Sequence, residues 1–412
     1  MKGLVVFPVL VCLLLGASVF AADFVSGVEY YKNEDYASAV SEWKPLAELG
    51  NAEAQNNLGW MYEHGKGVMR DHETAFKWYW LAAKQGNAVA QTNLGSMYEN
   101  GKGITRSDKA AFRWYTIAAR QGDAAAQNNL GTMYQEGKGV ARDQQVAVNW
   151  YRLAAEQGNA HAQFNLGSRY QKGLGIKKDN KIALRWFKLA ADQGHAEAQF
   201  NLGWMYENEA GVLKDEDRAI KWYRSAASKG DPSAQTNLGA RYQSGQGVMR
   251  DYKTAFKWFL LAATQGDALA QYSLGKMYQS GQGVTRNFET AVEWFRSAAV
   301  EGHAAAQNLL GAMYSRGLGV PQNHRIAVDW YRAAAEQGDS TAQFNLGAKY
   351  ANGEGVSRDY VRAHMWWSIA GSRGNNNATY SREKIENQMS PDEVKTARRL
   401  AVDCEAQRYR KC

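Results

Sequence analysis

Residues 54–86 read AQNNLGWMYEHGKGVMRDHETAFKWYWLAAKQG, and the spacing of apolar residues in this stretch decides the fold. Ala54, Leu58, Met61 and Tyr62 recur at intervals that stack them on one face of a helix. Gly65 and Gly67 break the pattern, and the first can take the left-handed conformation that ends a helix. Val68 follows as an apolar plug. Asp71 then offers a side-chain oxygen to the open amides of a new helix start. The second helix carries its own stripe, Ala75, Trp78, Tyr79 and Ala82, and Gly86 closes it. Small residues at Ala54, Gly59, Ala82 and Ala83 let the helices approach closely while the rings fill the remaining space. The stretch is a helix–turn–helix pair.

The same unit recurs along most of the chain. From Asn51 to Gly374 there are nine blocks of 36 residues without an insertion, registered by Leu58-Gly59, Leu94-Gly95 and their counterparts through Leu346-Gly347. The Asp71 position holds Asp, Asn or Ser in every copy, and the Val68 position holds Val or Ile. A fixed period of this length marks a solenoid, in which a unit too small to bury its own apolar face stacks on its neighbours. In the fifth copy Glu209-Ala210-Gly211 replaces Gly-x-Gly, so a turn of different shape is expected there.

Both ends of the stack are atypical. Residues 22–50 form a shortened capping pair without the Gly-x-Gly turn, with Asp35 as N-cap and Ala39, Trp43 and Ala47 inside. Residues 375–412 supply C-terminal capping helices. There Ser390-Pro391-Asp392-Glu393 is a capping box with Pro at the first helical position, opening a polar helix expected to run to about Arg410. Ahead of the stack, Lys2, the apolar run Leu4–Leu15 and the small-x-small site Val19-Phe20-Ala21 describe a signal peptide over residues 1–21. The run is shorter than the roughly 20 residues that span a bilayer, and Val11 before Cys12 does not fit a lipoprotein signal. The expectation is an exported protein, periplasmic or secreted, with no stable membrane insertion. After cleavage two cysteines remain, Cys404 and Cys412. On one straight helix they would lie about 12 Å apart, beyond disulfide reach, so a bridge requires the chain to turn back.

Composition agrees with a repeat protein. In 412 residues, 45% hydrophobic and 12% aromatic content excludes a disordered chain, and 40 Gly, 22 Tyr and 14 Trp beside five Pro fit one unit copied many times. The net charge of +8 is spread thinly and forms no nucleic-acid tail.

The pattern Ala-Gln-x-Asn-Leu-Gly-x-Met-Tyr-x-x-Gly-x-Gly-Val-x-x-Asp-x-x-x-Ala-x-x-Trp-Tyr-x-x-Ala-Ala-x-Gln-Gly, seen best from Ala54 to Gly86, strongly resembles the Sel-1-like repeat family. This is a tetratricopeptide-related class with a longer turn between helices, and the resemblance covers about four fifths of the chain. It implies an all-α fold, a right-handed α/α superhelical solenoid that binds other proteins. It also implies that exported bacterial members serve as adaptors in envelope assembly, signalling or host contact. The family's cysteine-rich branch pairs two Cys per repeat, and these repeats hold none.

Residues able to do chemistry are sparse. The histidines, His64, His72, His161, His195, His303, His324 and His364, lack metal-ligand spacing, and His195 and His303 fall where other copies have an Asn or Asp cap. No phosphate-binding loop is present, so neither metal nor cofactor is expected. Ser-x-x-Lys occurs at Ser41/Lys44, Ser273/Lys276 and Ser381/Lys384 without the partner motifs of a β-lactamase. Arg70, Arg106, Arg142, Lys178, Lys214, Arg250, Arg286 and Arg358 precede the second-helix caps and form a ridge. It reads either as a solvated edge or as a surface attracting acidic partners. Without interleaved aromatics, it does not read as a nucleic-acid site.

The outer face of the first helix is the candidate binding surface. Positions equivalent to 56, 57 and 60 point away from its buried stripe. The 57-type position is a ladder that includes Asn165 and Asn201, suited equally to binding an extended peptide backbone or to bridging neighbouring repeats. The 56-type position carries Phe164, Phe200, Tyr272 and Phe344, and the 60-type position carries Trp60 and Trp204. Large rings at exposed positions are hot-spot material, or they pack onto an adjacent repeat. The leading expectation is a non-enzymatic adaptor holding a protein or peptide in a concave groove at these residues. The alternatives are an envelope enzyme acting on cell-wall material or β-lactams, and an assembly factor binding through its convex face or ends.

Overall fold

The computed structural model describes residues 23–409 and Cys412, and the expected signal peptide lies outside them. Among the described residues there are 22 helices and no strand. The chain divides into two compact units, one ending at Trp186 and the other beginning at Phe187.

Each repeat is the helix pair its sequence describes. In repeat 1 the helices are Ala52–His64 and His72–Lys84, and in repeat 9 they are Ser340–Asn352 and Tyr360–Ser372. Gly65 ends the first helix in the left-handed region at φ 68°. Every expected second-helix cap accepts hydrogen bonds from the first turn, as Asp71 does from Glu73 and Thr74 and Asp179 from Lys181 and Ile182. Within a repeat the two helices meet at the Leu-Gly glycine, where a Cβ on Gly59 would sit 2.8 Å from the Tyr79 ring.

Apart from the last repeat, where one cluster includes both of its own helices, the buried clusters described lie between repeats. In the first unit, Ala75, Tyr79, Ala82 and Ala83 from the second helix of repeat 1 pack with Ala90, Leu94 and Met97 from the first helix of repeat 2. In the second unit, Ala255, Phe259, Ala262 and Ala263 meet Ala270, Leu274 and Met277 in the same way. Trp78, expected in the buried stripe, is half-buried and packs on the Leu58 cluster. It lies about 100° around the helix from fully buried Tyr79, at the edge of the seam.

A polar ladder accompanies these cores. Gln55 donates to the Ala47 carbonyl at 2.9 Å and accepts from Gln85 at 2.8 Å, so one buried amide ties its first helix to the preceding helix and to its own second helix. Gln91 with Gln121, Gln127 with Gln157, Gln235 with Gln265 and Gln307 with Gln337 repeat the arrangement.

Two departures from expectation are local, and the C-terminal bridge meets the condition set for it. The fifth turn keeps the left-handed geometry, but the helix ends one residue early and Glu209 occupies the glycine conformation at φ 53°. The final helix, Pro391–Ala406, has the expected capping box but stops short of Arg410. Arg408 and Tyr409, at φ 54° and 64°, turn the chain back, and Cys404 and Cys412 are disulfide-bonded with Cα atoms 5.6 Å apart.

Candidate functional site

The first-helix face is built from side chains that the repeat core does not consume. In the first unit, a cavity of about 450 Å³ opens there, lined by Val28, Tyr31, Trp43, Asn56, Asn57, Trp60 and Asn93, with Lys32 at its side. Tyr31 meets Trp60 edge-on at 5.3 Å, and Trp60 stacks on His64 at 4.3 Å, which fixes the wall. Asn93 donates to Asn56 at 3.1 Å and Asn56 donates to Asn57 at 3.3 Å. A primary amide offers two donors and two acceptor lone pairs, so these bonds leave part of each group's capacity for a ligand. Trp60 signalled this place in the sequence. The contribution of Tyr31 and Lys32 did not show, because the leading pair lies outside the repeat register.

The aromatic positions singled out in the sequence have varied surroundings. Phe164 is half-buried in the first unit. In the second unit Phe200 lies 5.5 Å from the Tyr223 ring, Tyr272 lies 6.1 Å from Phe295 and 4.7 Å from His303, and Phe344 lies 6.4 Å from Trp367. Each of these three is paired with the second helix of its own repeat, and each is half-buried. Trp204 is 40% exposed.

The asparagine ladder bridges repeats wherever the 56-type residue before it is Asn. Asn165 donates to Asn128 and Asn345 to Asn308, both at 2.9 Å. At two of the other positions the amide turns to its own helix: Asn201 donates to the Glu197 carbonyl, and Asn237 accepts from Arg241.

Two of the three Ser-x-x-Lys serines and one buried histidine are engaged structurally. Ser41 and Ser273 donate to carbonyls of their own helices. Ser381 and Lys384 line a cavity of about 220 Å³, but no hydrogen bond joins them among the described residues, as a nucleophile and its base require. His364 lies between Glu386, 2.7 Å from Nε2, and Ser368, 3.3 Å from Nδ1. Its imidazole is fully buried, so it joins the last repeat to the cap and offers no route to a substrate. No group of three His, Cys, Asp or Glu among the described residues could hold a metal, and none of the described helices is long and apolar enough to cross a membrane.

The basic ridge is exposed along its length. The expectation that it lacks aromatics fails in the later copies, because Arg250, Arg286 and Arg358 lie over the rings of Tyr252, Phe288 and Tyr360 at 5.5–5.7 Å. Those rings are half-buried at helix starts and already engaged by the cations. A feature the sequence reading passed over lies on the second helices. Leu81, Ile117 and Leu153, one per repeat, are 39%, 44% and 47% exposed, and a helical period that places Tyr79 and Ala82 inside leaves this position out.

The Sel1 repeat model matches nine consecutive segments, from residues 52–87 through 340–375. A protective antigen of uropathogenic Escherichia coli, described as displaying an SLR fold, is 37% identical over 94% of this chain and 85% of its own, with a TM-score of 0.75. A Sel1 repeat protein from Oxalobacter formigenes is 36% identical over 59% of this chain and 97% of its own, with a TM-score of 0.55. No curated protein matches the chain. The nine matched segments coincide with the helix pairs and their shared cores, and the chain therefore belongs to the Sel1 repeat family, as an all-α repeat protein of solenoid type.

Proposed function

We propose that this protein is an exported, non-enzymatic adaptor that holds a protein or peptide along its first-helix face. The Sel1 repeat fold generally serves as a non-catalytic scaffold for protein–protein interaction. The observation that carries the reading is the cavity at Trp60, where aromatic walls and three asparagine amides provide apolar anchoring and backbone hydrogen bonding together. Phe164 and Asn165 in the first unit, and Phe200, Asn201, Trp204, Tyr272 and Phe344 in the second, are taken as further partner-contacting residues. The leading pair (22–50) and trailing helices (375–412) act as caps on the repeats at 51–374. Export to the periplasm or beyond is supported by the Cys404–Cys412 bridge, which an oxidising compartment maintains, and by the antigen role of the E. coli relative.

The test is capture of a binding protein from envelope extract or culture supernatant by immobilised residues 22–412. It is run beside Trp60→Ala and a Phe164/Phe200/Trp204/Tyr272→Ala variant, each verified as folded by its melting curve. The expected result is a protein retained by the wild type and lost by the folded variants. Equal retention by all three contradicts the site.

A second reading has its own observation. The exposed stripe of Leu81, Ile117 and Leu153 would suit an assembly factor that binds through the second helices. It predicts that Leu81→Glu/Ile117→Glu/Leu153→Glu loses the captured protein while the first-helix variants keep it.

A further inference from the structure

The buried methionine of the repeat, present as Met61, Met97, Met133, Met205, Met277 and Met313, is replaced in three copies by Arg169, Arg241 and Lys349. All three cations are buried. Two of them have carboxylate partners from the chain itself. Arg241 pairs with Glu207 at 2.6 Å and Glu216 at 3.4 Å, and its Nε donates to Asn237. Lys349 pairs with Glu354 and also reaches Ser315 Oγ and His324 Nδ1.

Arg169 has no such partner. In its copy the residues aligned with Glu207 and Glu216 are Gln135 and Gln144, and the residue aligned with Glu354 is Leu174. One guanidinium nitrogen, Nη1, donates to Gln144 Oε1 at 2.9 Å. Nε is buried without a hydrogen-bond partner, although the residue is only 8% exposed. Of the groups that bear on it, Tyr151 favours the charge and the Arg142 cation opposes it, while Glu136 is held by Lys138 at 2.6 Å. Burial also pulls the guanidinium below its ordinary pKa.

A buried cation surrounded by neutral amides is unfavourable unless an anion completes it. Beside it the Tyr151 hydroxyl donates to Gln135 Oε1 at 2.7 Å with Thr132 Oγ 3.1 Å from that hydroxyl, and Gln144 donates to the Gln135 carbonyl at 3.0 Å, which orients the two glutamines and leaves the Gln135 amide and the second Gln144 N–H to donate to such an anion. Gln135, Gln144 and Thr132 are half-exposed, so the seam is reachable from solvent. The Nε edge of a guanidinium donates to a carboxylate through two parallel hydrogen bonds, and at Arg169 a ligand reaches that buried edge when the half-exposed glutamines over it move aside. The two sister sites identify carboxylate as the group this position takes.

We propose that the seam at Arg169, between repeats 3 and 4, binds a carboxylate supplied by a ligand outside the chain. The ligand is either a free small dicarboxylate or an acidic side chain of a bound polypeptide. This inference does not depend on the first-helix surface.

The test is thermal unfolding of the protein in sodium succinate, in N-acetylglutamate amide, and in sodium phosphate. Each is compared with sodium chloride at matched ionic strength. The wild type is expected to show a saturable rise in Tm with at least one carboxylate and none with phosphate. A response to succinate alone identifies a free dicarboxylate, and a response to N-acetylglutamate amide identifies a polypeptide side chain. Arg169→Met is expected to raise the ligand-free Tm by about a few degrees and to abolish the response. Gln135→Glu/Gln144→Glu, which rebuilds the internal carboxylates of the Arg241 site, is expected to abolish the response while retaining the buried arginine. No carboxylate response in the wild type, a response that survives in both variants, or a response to phosphate alone would each overturn the proposal.

Discussion

At the scale of single residues, His303 shows how a polar position in the repeat is used. It stands where most copies have Asn or Asp, and its Nδ1 accepts from the Ala306 N–H at 3.2 Å. Only the unprotonated nitrogen can accept. Burial, ahead of smaller opposing effects, holds the imidazole below its ordinary value of 6.5. Burial does the same at His364, although Glu386 pulls the other way. The unfolded chain thus binds protons more readily than the native one. The stabilisation is complete above pH 6.5 and is lost as pH falls through 6.5 toward the lowered native value. Melting temperatures at pH 7.5 and 5.0 should therefore differ, and His303→Asn should shrink the difference without removing the His364 share. Glu209 offers a second prediction. A side chain at φ 53° disfavours the turn, so Glu209→Gly should add about 1 kcal/mol in denaturant unfolding. The caps were legible in the sequence because capping chemistry is local. The buried cations were not, because Arg169, Arg241 and Lys349 look like surface residues until they are set in register with Met61.

At the scale of elements, the helix pairs were legible because 3.6-residue periodicity, glycine stops and cap residues agree within every block. The glutamine ladder was not. Gln55 and its counterparts read as polar positions, and their burial follows only from the seam between a second helix and the next first helix. The ladder is interrupted where its outer glutamine is replaced. Gln199, Gln271 and Gln343 each leave Oε1 buried and unpaired, and the residues aligned with their missing partners are Lys229, Glu301 and Arg373. Glu301→Gln should restore the donor to Gln271 and stabilise the protein by about 1 kcal/mol, measured by urea unfolding. A change within experimental error would show that the ladder contributes register rather than stability. The aromatic positions were only half legible. Their departure from small residues was visible, but the packing of Phe200, Tyr272 and Phe344 on second-helix rings depends on a distance that periodicity does not encode.

At the scale of the whole molecule, every core described is shared by two repeats, so no repeat is complete without a neighbour. The recurring faces follow from this. Most inward residues recur in each block, the buried methionine position excepted, and the outer faces of both helices vary. On the first-helix face those surfaces gather rings and amides, and on the second-helix face they leave an apolar stripe at Leu81, Ile117 and Leu153. The fold could be read from the sequence because stacking imposes one pattern nine times. The partner could not, because a scaffold's selectivity lies in the few positions where that pattern is broken. The first-helix face is proposed to engage a polypeptide. Photo-crosslinking tests it directly, with a benzophenone side chain placed in turn at Asn93 and Trp204 on that face, at Leu153 on the second-helix stripe, and at Arg250 on the ridge. A protein adduct is expected from each of positions 93 and 204 and none from 153 or 250. An adduct formed only from 153 or 250 would contradict it.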